Sequence, residues 1–463
     1  MSKVVIAGAT GFVGRELSRA ICGQHHVIGL TRSANFPTEP SVHEWRRADL
    51  FSMKDARAAL QGADYAFYLV HSMMPSARLT QGEFQDFDLI AADHFARAAS
   101  EQGVKQIIYL GGLIPQVKEI SKHLESRLEV ENTLGTYGVP LTTLRAGLVV
   151  GAKGSSFQLL EKLIQRLPVL VCPAWTQTKT QPIALTDIIQ LLKFCLGNPQ
   201  VFAQSFDVGS PDVLSYREMM EKTAQKLGLK RHFIRVPFFS PGLSRAWVTT
   251  VTGAPKELVF PLIESLAHPM VARDHALEKM AGIQTQGIDQ ALTEAVQGNP
   301  GTRAPRAFRG RTKNPDHDVR SVQRLPLSGG KTAEWTAKEY LQWLPKFMPW
   351  IIRVDLKPDG IAEFVLRGTQ LRLLILQLSS EMSTSDRQIF YVRGGVLAKQ
   401  SHRGRVEFME ALQGTCVLSA LHEFRPRLPW LIYYHTQAKV HLYVMKSFAR
   451  YLSRLPDAHV SRP

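Results

Sequence analysis

The feature that most constrains this chain is a glycine-rich turn that begins at residue 8. An apolar run over 4–7 predicts a buried strand, and a helix-compatible stretch over 12–21 follows the turn. A Cβ here would block the turn, the approach of a pyrophosphate or the packing of the helix on the strand. Backbone N–H groups and the positive end of the helix dipole point at one spot. The pattern predicts a dinucleotide site rather than a turn without a ligand, and its residues are Gly8, Thr10, Gly11, Phe12, Val13 and Gly14.

The residues after the second predicted strand, 26–30, bear on the choice of cofactor. Sites for NAD usually carry an acidic residue there that binds the ribose 2′-hydroxyl, whereas this chain has Arg32 between Thr31 and Ser33. The cationic fork of Arg32 suits a 2′-phosphate, and a solvated loop residue is the alternative. Asp49 and Leu50, after a third predicted strand at 42–46, are expected beside the adenine. The sequence therefore favours NADP(H), while NAD(H) stays open.

Length and composition indicate an ordinary globular protein of two or three domains. The chain has 463 residues, of which 44% are hydrophobic and 21% are charged. The first predicted strand starts at Lys3, which leaves no room for a secretory signal, and no apolar run approaches a membrane span. The cysteines form no Cys-x-x-Cys pair, which argues against a zinc site or a disulfide framework. We therefore expect a cytoplasmic protein without a metal.

The net charge of +16 at pH 7 is high for such a chain. Part of the excess lies in one stretch with prolines and glycines, where Arg303, Arg306, Arg309, Arg311 and Lys313 crowd together. A solvated linker is the plainer interpretation of that stretch. Because no stacking platform, zinc finger or recognition helix accompanies it, nucleic-acid binding is not expected. Peripheral contact with the anionic inner face of a membrane remains an alternative.

Strands and helices alternate up to about residue 150, which predicts a Rossmann-type, doubly wound parallel sheet of the α/β class. Less regular helices follow, and we assign 151–297 to a substrate lobe of one domain, 1–297. Within it, 140–150 is predicted as one strand and 168–182 as a loop. A basic linker, 298–318, leads to an α+β domain over 319–463. There, strand-like segments recur between a helix at 332–348 and an amphipathic C-terminal helix. The face predicted to be buried on that helix carries Leu431, Tyr434, Ala438, Leu442, Met445 and Leu452.

Several segments of the first two-thirds together resemble the extended short-chain dehydrogenase/reductases, specifically the atypical NmrA-like branch and the bacterial YbjT-type proteins. The segments are 8–14, 68–73, 103–113, 123–127, 144–151 and 180–184. This resemblance implies a nicotinamide dinucleotide as cofactor. The last third looks like the helix-grip domain (START or polyketide-cyclase-like) of the YbjT-type group, which implies a small apolar ligand.

The chain departs from that family where its chemistry lies. Classical members use a Ser, a Tyr and a Lys four residues after the Tyr, and the strand end that would carry the Ser reads 110–112, Leu-Gly-Gly. The helix positions of the Tyr and Lys hold His123 and Arg127, a proton donor and an anchor for ribose or phosphate oxygens. His71, with Ser72 just past the fourth strand, is the other candidate donor, and a packed, inert side chain is the preferred alternative for it. His94 replaces a helix Asn that helps organise the site in many relatives.

The sequence leaves open whether this chain is an enzyme. His123, Arg127 and Glu131 are spaced i, i+4, so they could also form a surface ion network without catalysis. The first hypothesis is an NADP(H)-dependent oxidoreductase or isomerase of atypical mechanism with an apolar or aromatic substrate. The alternative is a non-catalytic NADP(H)-dependent sensor or assembly factor that regulates a protein partner.

Two apolar segments admit a membrane-surface role besides burial. The segment 237–251, with Trp247 and Val248, could form a lid or lie on a membrane, and burial over the substrate cleft is the preferred interpretation. The segment 428–434 could touch lipid, although its aromatic residues are expected to fill the core of the last domain.

Overall fold

The structure, a computed structural model, describes residues 1–71, 77–236, 241–298, 319–327 and 329–455. The chain divides into two compact units. The first comprises 1–73 and 91–310, and the second comprises 74–90 and 311–463. This division differs from the one expected at the sequence level, because 74–90 belongs to the second unit.

The strands, in chain order, are β1 Lys3–Ala7, β2 His26–Thr31, β3 Glu44–Arg47, β4 Tyr65–Tyr68, β5 Leu79–Gln81, β6 Gln106–Gly112, β7 Leu141–Ala146, β8 Val149–Val150, β9 Val169–Pro173, β10 Lys179–Thr180, β11 Ile183–Ala184, β12 Gln204–Val208, β13 Leu214–Ser215, β14 His232–Val236, β15 Val319–Pro326, β16 Ile352–Leu356, β17 Ile361–Leu366, β18 Arg372–Leu378, β19 Arg387–Gly394, β20 Arg405–Ala411 and β21 Cys416–Phe424. The α-helices are α1 Phe12–Ile21, α2 Met53–Leu60, α3 Phe84–Glu101, α4 Lys122–Leu134, α5 Ser155–Arg166, α6 Leu185–Cys195, α7 Tyr216–Lys226, α8 Pro241–Thr252, α9 Lys256–Ser265, α10 Ala276–Ala281, α11 Ile288–Gln297, α12 Ala333–Phe347, α13 Trp430–His435 and α14 Gln437–Leu452.

The first unit is built on a seven-stranded sheet in the order β3-β2-β1-β4-β6-β7-β12. Every neighbouring pair in it is parallel. The strands of its centre are continuous apolar runs, as burial on both faces requires, and the four residues 4–7 of β1 are all buried. The chain winds outward from β1 in one direction and returns at β4 in the other, which is the Rossmann order. The predicted α/β, doubly wound fold is confirmed.

The predicted strand over 140–150 is wrong in one respect, because it splits at 147–148. β7 stays in the main sheet, whereas β8 leaves it to pair with β11. Gly147 lies where a Cβ would come within 3.2 Å of the Gln181 carbonyl oxygen, so the two segments approach closely at the break. The stretch 168–182, expected to be a loop, contains β9, which pairs in parallel with β14. The split of the predicted strand and the presence of β9 both depend on pairing with strands that are distant in sequence. The local residue pattern does not reveal such pairing.

The second unit contains an eight-stranded sheet in the order β16-β17-β18-β19-β20-β21-β15-β5. Its pairs are antiparallel except for the last, where β15 runs parallel to β5. The short segment β5 thus comes from residues 79–81, far from the rest of this sheet in sequence. Asp86 supports the same connection, since it accepts a hydrogen bond from Arg324 Nε at 2.8 Å. A separate domain with a sheet and helices is confirmed.

The C-terminal helix differs from the continuous one expected. It breaks at Thr436 into α13 and α14, and the break rotates the buried face. Leu431 and Tyr434, expected to be buried, are exposed to 71% and 45%, whereas Tyr433 is buried. On α14 the buried positions are Ala438, Val444, Met445, Phe448 and Leu452. In the described ranges no helix combines the length and apolar composition that crossing a membrane requires.

Candidate functional site

The glycine turn has the geometry that its sequence predicts. Gly8 follows β1 with φ of +95°, and a Cβ there would lie 2.7 Å from the Leu69 carbonyl oxygen. A Cβ on Gly14 would overlap the Gly8 carbonyl, and the Gly11 N–H donates to that same carbonyl at 2.8 Å. Real Cβ atoms do not tolerate such overlap, so the turn holds only with glycine at these positions. It brings α1 to begin one residue after Gly11.

The turn lies at the point where the strand order reverses, between β1 and β4. In open α/β sheets the ligand crevice forms at the carboxyl ends of strands at this switch point. Thr10 and Gly11 are exposed there, while Val13 packs against the core of the first unit. The Phe12 ring lies against the backbone of Gly151, where a Cβ would come within 2.7 Å of it. The start of α1 therefore presents backbone N–H donors to the crevice, while Phe12 and Val13 hold this end of the helix against the rest of the unit.

The predicted adenine and ribose residues come from two adjacent loops. The Ala48 N–H donates to the Thr31 carbonyl at 2.8 Å, so the loop that carries Asp49 and Leu50 lies beside the loop that carries exposed Arg32. The Asp49 carboxylate accepts from the Phe51 N–H at 3.3 Å, which orders the turn before α2.

His94 has a role in this region that the sequence did not show. Its side chain is buried, and its Nδ1 lies 2.9 Å from the carbonyl oxygen of Leu50. Since a carbonyl only accepts hydrogen bonds, Nδ1 is the donor in this contact. His94 therefore fixes the backbone of the loop expected to face the adenine, which is a structural role.

Three residues singled out from the sequence meet at the carboxyl ends of β4 and β6. Arg127 Nη2 lies 2.6 Å from His71 Nδ1, and the rings of His71 and His123 lie 5.2 Å apart between centroids. Gly112, at the end of β6, is close enough to Arg127 that a Cβ on it would lie 3.5 Å from Arg127 Cγ. Since a guanidinium only donates, its contact makes Nδ1 of His71 the acceptor and leaves Nε2 of a neutral imidazole to carry the proton.

The possible surface network of His123, Arg127 and Glu131 is not what the structure has. Arg127 and Glu131 are each 7% exposed. The Glu131 carboxylate accepts a two-pronged contact from Arg145, at 2.9 and 2.7 Å, and a hydrogen bond from Ser205 Oγ at 2.6 Å. Because Arg145 is on β7, its pairing with Glu131 connects α4 to the sheet. Arg127, on the same helix, contacts His71 instead. Sequence reasoning missed this pair, since nothing local links position 131 to 145.

Some sequence predictions fall outside the described residues. These are Ser72, the basic stretch 303–313, and residues 237–240 of the apolar segment 237–251. Of the apolar segment 237–251, Val248 is buried in a cluster with Leu163, Val259 and Ile263.

The second unit contains an apolar cavity of about 180 Å³ between its sheet and its helices. The sheet lines it with side chains such as Phe364, Phe390 and Phe408. α12 contributes Tyr340, and α14 contributes Gln437, His441 and Val444. Burial alone lowers the pKa of His441 to about 4, and burial also raises the pKa of Tyr340. The sequence analysis did not single out Gln437 and His441. Their i, i+4 spacing, which places two polar side chains side by side on a helix, was a signal that could have identified them.

The burial of His441 in this cavity predicts that the protein becomes less stable in acid. The pKa of His441 falls from 6.5 in the unfolded chain to about 4 in the fold, so between these values the unfolded state binds more protons. The free energy of unfolding is therefore highest above pH 6.5. It decreases as the pH falls toward 4, by up to roughly 3 kcal/mol. Urea unfolding at pH 7 and pH 5 measures it. His441→Leu should reduce the difference, whereas His402→Leu, at an exposed site, should leave it intact. An undiminished difference in His441→Leu would contradict the assignment.

Comparison with known proteins supports the nucleotide site. Residues 8–149 match the family described as NAD(P)H-binding. The auxiliary protein GraX of Staphylococcus aureus is 32% identical to this chain over 142 residues, which cover 30% of this chain and 43% of that protein. The match thus spans less than half of the curated relative. Nicotinamide dinucleotide binding fits this family and the glycine turn described above.

Solved structures share the fold of about two-thirds of this chain. A nucleoside-diphosphate-sugar epimerase from Staphylococcus aureus is 17% identical with a TM-score of 0.51, and the match covers 64% of this chain and 100% of that one. A triphenylmethane reductase from Citrobacter is 17% identical with a TM-score of 0.50, covering 64% and 100%. The NADPH-dependent quinone oxidoreductase of Escherichia coli, complexed with NADPH, is 16% identical with a TM-score of 0.50, covering 63% and 99%. At this identity the likeness shows the fold alone.

Proposed function

We propose that this protein is an NADP(H)-dependent oxidoreductase of atypical mechanism that reduces an apolar or aromatic carbonyl compound. The observation that carries the proposal is the meeting of His71, His123 and Arg127 at the strand ends beside the glycine turn. Nicotinamide chemistry in a Rossmann fold takes place at that edge of the sheet. Bound NADPH would supply the hydride to the carbonyl carbon, and the carbonyl oxygen would need a proton.

His71 is the better candidate for the group that binds and polarises the carbonyl oxygen. The contact from Arg127 to Nδ1 leaves the proton of a neutral His71 on Nε2, in a fixed orientation. His71 would keep this proton, because giving it up would leave an imidazolate. The proton for the substrate oxygen would come from the imidazolium of His123, the first choice from the sequence, which lies beside His71, or from water. Arg127 would then hold the ring of His71, and its guanidinium is also assigned to ribose or phosphate oxygens of the cofactor. This division of roles replaces the Ser, Tyr and Lys of classical members.

The experiment is a calorimetric titration with NADPH and NADH, followed by NADPH oxidation assays against quinones and aldehydes. Tight binding with turnover supports an enzyme. Tight binding without turnover over a broad panel contradicts the catalytic proposal and leaves the binding site intact. If neither NADPH nor NADH binds, both the catalytic proposal and the assignment of the dinucleotide site are contradicted.

The choice of NADP(H) rests on Arg32, and it predicts a selective loss. Arg32→Ala should weaken NADPH binding about tenfold and leave NADH nearly unchanged, because only NADPH has the 2′-phosphate. Titration of both cofactors into both proteins measures this. Arg47→Ala, which removes another exposed arginine of the neighbouring strand β3, is the matched control and should affect the two cofactors alike. Equal losses for NADPH and NADH in Arg32→Ala would refute the assignment.

A second function is a non-catalytic NADP(H) sensor or assembly factor. The absence of the Ser, Tyr and Lys from their expected positions favours it. The curated relative that matches 142 residues of this chain is named an auxiliary protein, which agrees with such a role. A partner captured from lysate with NADPH, and released when NADP⁺ replaces it, would support this function if no turnover is found.

For the second unit we propose a ligand-binding role of the helix-grip type. The support is the cavity of about 180 Å³, whose walls are mainly apolar. Apolar cavities of about 150 Å³ stay dry and bind benzene, so this one suits a small apolar molecule. Its binding can be measured with naphthalene, whose fluorescence changes on transfer from water.

A further inference from the structure

The cavity of the second unit carries a polar pair on one wall. Gln437 and His441 are one turn apart on α14, and both line the cavity. Side chains four residues apart in a helix are neighbours, about 5–6 Å apart at Cβ. Gln437 Oε1 is buried with no hydrogen-bond partner among the described residues. A buried amide oxygen without a partner costs free energy, and a ligand with a donor would remove that cost.

The rest of the lining restricts what such a ligand can be. Among the described residues that line the cavity there is no Asp, Glu, Lys or Arg. Burial holds the pKa of His441 at about 4, so its imidazole is uncharged at neutral pH. A charged ligand would therefore enter an apolar space without a counter-charge, which is strongly unfavourable.

The hydrogen-bonding capacity of the pair defines the complementary group. A neutral imidazole offers one donor and one acceptor, and an amide offers an acceptor and two donors. A hydroxyl group both donates and accepts, so it can bind both side chains at once. Ser419 and Tyr340 supply two further hydroxyl groups on the cavity wall.

We propose that Gln437 and His441 select uncharged, mainly apolar ligands that carry a hydroxyl group, and that they bind this group inside the cavity. The inference rests on the ligand-binding role proposed for the second unit. The volume allows a body of about two fused rings. Val440 lines the cavity and is 49% exposed, so the cavity reaches the surface beside the polar pair.

The test compares naphthalene, 2-naphthol and 2-naphthoate binding to the full chain at pH 7 by fluorescence. These probes share the apolar body and differ in a hydroxyl group or a carboxylate. We expect saturable binding of 2-naphthol and at least a roughly 100-fold weaker affinity for 2-naphthoate. His441→Leu and Gln437→Leu should each weaken 2-naphthol about fivefold and leave naphthalene unchanged or tighter. Lys439→Gln, at an exposed position of the same helix, should change neither.

The outcomes separate this inference from the ligand-binding role itself. Ala337 is buried on the cavity wall, and Ala337→Leu should reduce binding of both neutral probes by filling the space. If naphthalene and 2-naphthol both fail to bind, the ligand-binding role is wrong. If both bind and the α14 variants weaken them equally or not at all, only the selection by Gln437 and His441 is overturned.

Discussion

Gly8→Ala is expected to abolish NADPH binding, with an affinity loss of at least roughly 100-fold. The added Cβ would lie 2.7 Å from the Leu69 carbonyl oxygen. In addition, the φ of +95° at this position is one that residues other than glycine rarely adopt. Relief of the overlap would move β1 from β4 at the switch point and turn the N–H groups of the turn away from the pyrophosphate. Calorimetric titration with NADPH measures the loss, and thermal unfolding measures a destabilisation of about 1–3 kcal/mol.

Two glycines of the same unit serve as controls for this variant. Gly103 has a φ of +69° but open space around a Cβ, so Gly103→Ala tests backbone strain without overlap. Gly23 has open space and no unusual φ, so Gly23→Ala should be nearly neutral. Both controls should bind NADPH like the wild type. Unchanged NADPH affinity in Gly8→Ala would contradict the assignment of the turn as the pyrophosphate site.

His71→Phe is expected to lower NADPH-dependent turnover by roughly 10²- to 10³-fold, while the affinity for NADPH stays within about threefold. Phenylalanine keeps a planar ring but has no Nε2–H to donate a hydrogen bond to the substrate oxygen. Arg127→Ala should lower both turnover and NADPH affinity, because Arg127 donates to His71 Nδ1 at 2.6 Å and is assigned to the cofactor as well. The ratio of the two losses distinguishes a residue that polarises the substrate oxygen from one that anchors the cofactor.

His123→Phe and His232→Phe complete this series. His123→Phe should lower turnover strongly only if His123, rather than water, gives the proton. His232 is exposed on β14, and its replacement controls for the loss of any imidazole. Turnover within about twofold of the wild type in both His71→Phe and His123→Phe would exclude an imidazole donor.

The fold of the first unit could be predicted because its signals are local. The apolar run of β1, the turn glycines and the helix after them follow one another within 21 residues, and each has one favoured conformation. The C-terminal helix was harder, because apolar spacing fits two helices separated at Thr436 as well as one. The break moved Leu431 to the surface and Tyr433 into the core.

The candidate site divides in the same way. Gly8, Arg32 and His71 were singled out by residue type and position along the chain, and His123 and Arg127 by the resemblance to the dehydrogenase/reductases. The contact of Arg127 with His71, which decides the tautomer, joins residues 56 positions apart and has no local signal. The same holds for the pairing of Glu131 with Arg145 and for the role of His94.

The sequence by itself thus determined the class of the fold, the dinucleotide turn and the residue types available for chemistry. Local hydrogen bonding, steric limits on φ and apolar periodicity act over a few residues, so they can be recognised from order alone. The tertiary structure decided that β5, from residues 79–81, joins the sheet of the second unit, and that Gln437 and His441 line an apolar cavity. Those features depend on which distant surfaces pack together, because burial and strand pairing are properties of the whole fold and not of any segment.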